Sequence, residues 1–121
     1  HLAGVGMLPP PYTAFEKALQ TADNPNIFLK VPGIGEICER PVRLNKSNNF
    51  ANMPPFFEMA KEAFTVSRMM WASDFPPSAN REGYSKTLAG VRDHPAFISG
   101  DDAQWVLGRT AAILFKFDQL S

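Results

Sequence analysis

Arg68-Met69-Met70-Trp71-Ala72 runs without a break into Ser73-Asp74-Phe75-Pro76-Pro77, and the reading of this stretch decides the fold. Its first half is a compact apolar run, too short for a helix and stopped by prolines, so it predicts a buried strand leading straight into a turn. Upstream, Asn26-Ile27-Phe28-Leu29-Lys30-Val31, closed by Pro32-Gly33, has the same form. Helical spacing lies on either side of both. Phe15, Ala18, Leu19 and Ala22 follow a Thr13/Glu16 capping pair, and Phe57, Ala60 and Phe64 follow Pro54-Pro55. Tyr84, Leu88 and Val91 share a predicted face of a third helix over 82–92. Ala103, Val106, Leu107, Thr110, Ala111, Leu114 and Phe115 repeat at three and four in a long last helix capped by Ser99 and Asp102. Gly108 inside that helix costs about 1 kcal/mol relative to Ala, which predicts close packing against a neighbour as compensation.

Apolar strands alternating with amphipathic helices give an α/β class with parallel strands and helices over the sheet. Two or three parallel strands alone would leave both apolar sheet edges open. The expectation is therefore a single domain over 1–121 that forms the carboxyl-terminal portion of a larger sheet or (β/α)8 TIM barrel. The remaining strands would come from residues upstream of His1.

Composition narrows the partners. Twelve Lys+Arg against twelve Asp+Glu leave no net charge, which argues against nucleic acid or an anionic membrane surface. Ten Phe, two Trp and two Tyr in a 45% hydrophobic chain predict a packed core. Cys38 is the single cysteine. It excludes an internal disulfide and a multi-cysteine zinc site, and fits a reducing, cytoplasmic setting. No apolar run reaches the length of a membrane span, and a homo-oligomer stays open.

In parallel α/β folds ligands bind at the carboxyl ends of the strands. That rule selects the long polar loop after Val31 and the turn after Ala72. Asp74, two residues past a strand, is placed to ligate a metal or to deprotonate a water; the ordinary alternative is a turn aspartate bonded to nearby amides. Ser73 reads as a turn hydroxyl, since no Gly-x-Ser-x-Gly elbow surrounds it. Lys30, a charge inside an apolar strand, must pair, snorkel or point into a site. Arg40 and Arg43 could clamp a carboxylate. His94, after the third helix, reads as structural, and Cys38 as a small semi-buried side chain.

The segment Met70-Trp71-Ala72-Ser73-Asp74-Phe75-Pro76 resembles the Trp-Gly-Ser/Thr-Asp-Phe/Trp-Pro signature that closes the last strand of the amidohydrolase-related (amidohydrolase 2) TIM-barrel hydrolases. Pro25-Asn26-Ile27-Phe28-Leu29-Lys30-Val31-Pro32-Gly33 is similar to that family's seventh strand, His1-Leu2-Ala3-Gly4 to its sixth-strand ending, and 106–115 to its closing helix. Ala72 replaces the usual Gly, Thr110 stands where Asn is common, and Val31-Pro32 replaces Leu-Ser. The resemblance implies that Asp74 is the eighth-strand aspartate, a metal ligand that takes a proton from the attacking water, or the base in lactonase-like relatives without metal. It implies that His1 contacts metal or substrate, that Lys30 projects from the seventh strand, and that Arg40 lies where an anionic small-molecule substrate is held. The cofactor implied is a divalent metal ion, zinc or similar.

The first-strand His-x-His pair of the family is not among these residues, so the chain alone is expected to be inactive. The function expected of the whole is water attack on a cyclic ester, amide or related carbonyl. A metal-dependent decarboxylase is the alternative within the family, and a non-catalytic barrel remnant or interaction module the alternative outside it.

Overall fold

The computed structural model describes residues 1–6, 8–37, 53–80 and 83–117. Cys38, Arg40, Arg43 and the expected start of the third helix at Glu82 lie outside the described residues.

The described chain is α/β. Strand β1 (Leu29–Val31) pairs in parallel with β2 (Met69–Trp71). The register sets Leu29 beside Met69, Lys30 beside Met70 and Val31 beside Trp71, and the Ala72 amide donates to the Val31 carbonyl at 3.0 Å. Both strands are shorter than their apolar runs suggest, because neighbouring groups satisfy the backbone otherwise. Arg68, for example, ends a single 3-10 turn over Val66–Arg68. Its guanidinium donates to the Ala22 and Asn24 carbonyls at 2.9 and 3.0 Å, tying the segment before β1 to the start of β2.

Side chains alternate across a strand, so Leu29, Val31 and Met69 share one face and are buried there, while Lys30 on the other face is exposed. The covered face carries the core. Helix α1 (Thr13–Leu19) contributes Phe15, and α2 (Phe56–Phe64) contributes Phe56, Phe57, Ala60 and Phe64. The Phe15 and Phe56 rings meet edge to face at 5.1 Å, an arrangement that adds about 0.5–1.5 kcal/mol to the burial itself.

Helix α3 (Tyr84–Arg92) buries Thr87, Gly90 and Val91. The expected face through Tyr84 and Leu88 is thus rotated, and Tyr84 is exposed. The cause is the close approach of β1's end to this helix: a Cβ on Gly33 would come within 2.5 Å of the Thr87 Cγ2. Only glycine lets the strand end sit there, and Thr87 rather than Leu88 is the residue that meets it.

The last helical run begins as α4 (Asp102–Gln104), widens into a π-helical turn over Trp105–Arg109 and ends as α5 (Thr110–Leu114). Val106 and Thr110 are its buried residues, and the Thr110 hydroxyl donates to the Val66 carbonyl at 2.9 Å. The expected packing around Gly108 is not found: a Cβ there would meet nothing within 4 Å, because the widened turn leaves Gly108 on the solvent side. Phe115 is likewise exposed, just past the helix.

Neither expected capping pair forms. Tyr12 in a left-handed conformation, not Thr13, precedes α1. Asp102 turns instead to Lys61, whose ammonium donates to it at 2.6 Å and to the Ala96 carbonyl at 2.9 Å, joining α2 to the start of α4. Among the described residues no helix is long and apolar enough to cross a membrane.

Candidate functional site

Three segments meet beyond the carboxyl ends of the two strands. A 3-10 turn over Leu2–Gly4 starts at His1, and the turn Ile34–Glu36 follows β1. The third segment is the Ser73-Asp74 turn after β2. The ligand atoms of His1, Glu36 and Asp74 all lie within 4.8 Å of one another. His1 Nδ1 donates to Glu36 Oε2 at 2.5 Å, and His1 Nε2 stands 3.9 Å from Asp74 Oδ1. The site is open: the side chains of His1, Glu36 and Asp74 are 57%, 22% and 32% exposed.

Each position has a local cause. Asp74 holds φ at +51°, a left-handed conformation that Asp tolerates better than most residues because its short polar side chain can bond locally. Here the local bond is supplied by its neighbour. The Phe75 amide donates to Ser73 Oγ at 3.2 Å, and the Ser78 amide to the Asp74 carbonyl at 3.1 Å. The Asp74 carboxylate accepts no amide among the described residues and faces His1 instead. Ser73 is thus the turn hydroxyl it was expected to be.

Glu36 ends a turn whose amide donates to the Gly33 carbonyl at 3.1 Å. The flanking Ile34 and Ile37 are buried. Sequence reasoning missed Glu36. The strand-end rule pointed to its loop, but among several polar side chains there only a fold could single out the one that meets His1.

Charge follows geometry. The hydrogen bond that His1 donates to Glu36 and then the Glu36 negative charge hold the His1 pKa above the usual histidine range, with Asp74 adding to the rise; burial and the Lys30 ammonium oppose it. Lys30, exposed on the other sheet face, thus lies close enough for its charge to be felt at His1. Of the residues singled out from sequence, His1 and Asp74 are brought together, Lys30 is near, and Arg40 lies outside the described residues.

An imidazole nitrogen with carboxylate oxygens is a donor set that zinc and similar ions accept. Glu36 Oε1 is sealed from solvent without a hydrogen-bond partner, an anionic oxygen whose burial a nearby cation offsets. The residues present fit a divalent ion.

His94 lies elsewhere and is built differently. It is buried beside Phe57 and Phe97, with ring centroids 4.9 and 6.1 Å away. Its Nδ1 accepts the Ala96 amide at 3.1 Å, and burial pushes its pKa down, opposed by the charge of Glu58. It is structural, as its position after α3 predicts.

Residues 5–117 match a protein-family model described as amidohydrolase. No curated protein matches the chain, and no solved structure does.

Proposed function

The chain belongs to the amidohydrolase family, and on that premise we propose that it supplies the last strands of a (β/α)8 barrel that opens a small cyclic ester or amide, with Asp74 as the base that activates water. The family is built on the TIM barrel, acts on small molecules by hydrolase- or decarboxylase-type chemistry and generally uses divalent metals. The observation that carries the finer reading is the convergence of His1, Glu36 and Asp74 beyond the carboxyl ends of two parallel strands. That is where a TIM barrel keeps its chemistry. The exposure of Lys30 supports the barrel reading, since a barrel fills that side of the sheet from other strands.

His1 Nε2 and the Asp74 carboxylate would hold the ion. When bound, a divalent ion polarises the substrate carbonyl and makes its water acidic. The Asp74 carboxylate takes the proton of the attacking water. Among the described residues no backbone amide takes either oxygen, which leaves both for ligation and for that transfer. Lys30, and Arg40 further along the sequence, would hold an anionic group of the substrate.

Lactone ring opening and carbon dioxide release are the two assays that test this in the barrel carrying these residues. Ring opening that falls about 10²–10⁴-fold in Asp74→Asn supports the reading. Unchanged turnover overturns the role of Asp74, carbon dioxide release without ring opening assigns a decarboxylase, and neither activity assigns a non-catalytic module.

A further inference from the structure

We propose that Glu36 is the positioning residue of this site: its carboxylate accepts the Nδ1 proton of His1 and so turns the Nε2 lone pair toward Asp74. The inference rests on the reading of His1 and Asp74 as the ion's ligands.

The two ring nitrogens of an imidazole face opposite ways, and the partner of one decides which proton and lone pair the other presents. In this structure the partners are distinct. Glu36 Oε2 lies 2.5 Å from Nδ1, and Asp74 Oδ1 lies 3.9 Å from Nε2. Glu36 takes Nδ1 and leaves Nε2, the ring nitrogen paired with Asp74, to present its lone pair, so through this bond Glu36 acts on His1. This is the carboxylate–histidine–metal arrangement that fixes a ligand's tautomer and raises its basicity.

The platform under Glu36 is suited to that task. Its turn is held by backbone bonds from Glu36 to Gly33 and from Ile37 to Ile34, at 3.1 and 3.0 Å. Ile34 and Ile37 are buried on either side, and Gly33 is pressed against Thr87 of α3. His1, by contrast, is more than half exposed. Without a partner on a rigid element its ring would be free to rotate, so the orientation has to come from Glu36.

The test reads the tautomer directly. Two-bond nitrogen–proton correlation spectra are recorded on the histidine-labelled, metal-free barrel carrying these residues, above the pKa of the ring, for the wild type, Glu36→Gln and Glu36→Ala. His94 serves as the internal contrast, since its Nδ1 accepts the Ala96 amide and its proton belongs on Nε2. His1 is expected as the Nδ1–H form in the wild type and in Glu36→Gln, whose amide oxygen still accepts, and to move to the Nε2–H form in Glu36→Ala. Cobalt titrated into the same proteins is expected to bind about 10–100-fold more weakly to Glu36→Ala, with a smaller loss in Glu36→Gln. A wild-type His1 in the Nε2–H form, or an Nδ1–H form that persists in Glu36→Ala, overturns the proposal. Equal cobalt losses in both variants with no tautomer change overturn it too, since they make Glu36 a direct ligand. A tautomer shift as expected in a barrel that binds no cobalt supports the positioning by Glu36 and overturns the ion.

Discussion

The two histidines of this chain sit in opposite surroundings, and the comparison separates what the two regions do. His1 is exposed at the carboxyl ends of the strands, where carboxylates raise its pKa; His94 is buried among Phe57 and Phe97, where desolvation lowers its pKa. The same side chain is held ready for charge in one region and kept neutral in the other. The proposed chemistry sits where polar groups face solvent and each other, and stability where the ring replaces an apolar side chain with one satisfied nitrogen.

The largest expected effect falls on the first region. Asp74→Asn is expected to reduce turnover of the whole barrel about 10²–10⁴-fold while leaving the melting temperature unchanged, because Asn tolerates the same left-handed backbone. A large drop in melting temperature would break the comparison by making the site a structural element. Gly33→Ala tests the junction between the site and the core. The added methyl meets Thr87 Cγ2, and overpacking of this kind costs about 1–3 kcal/mol, read as a lower midpoint in urea. An unchanged midpoint would mean that the end of β1 is free to move away from α3.

His94→Asn tests the second region through pH. The folded-state pKa of His94 lies below its unfolded value, so the unfolded chain binds the extra proton first and stability is lost as pH falls below about 6.5. Protonation would also remove the acceptor that caps the Pro95–Phe97 turn. Asn keeps a capping oxygen but does not titrate. The variant is therefore expected to lose less stability than the wild type between about pH 7 and about pH 5, measured by paired thermal melts. An equal loss would show that His94 is not the titrating group. The smallest effect is expected from Gly108→Ala, outside both regions. With nothing near the added methyl, the variant is expected to gain up to about 1 kcal/mol, and a loss would show that the π-helical turn needs glycine.

Much of the fold was legible because its signals are local. Apolar runs stopped by Pro32-Gly33 and by Phe75-Pro76-Pro77 mark the strands, and Phe57, Ala60 and Phe64 mark a helix face by spacing alone. The failures share a cause. Thr13 and Asp102 have good capping chemistry, but the backbone before α1 and the ammonium of Lys61 from another helix decided otherwise. Gly108 looked as if it needed a neighbour, and the widened turn around it removed the need.

By itself the sequence determined the α/β class, the family resemblance, and Asp74 as the residue to test, because a carboxylate just past a strand is a property of neighbouring positions. Tertiary structure alone decided that Glu36 bonds to His1. The two are 35 positions apart, and no periodicity links them. Their meeting depends on the packing of the Leu2–Gly4 turn against β1 and on the close seating of Gly33 against α3. Such contacts come from packing and not from spacing, which is why the aspartate was found first and its companion only in the folded chain.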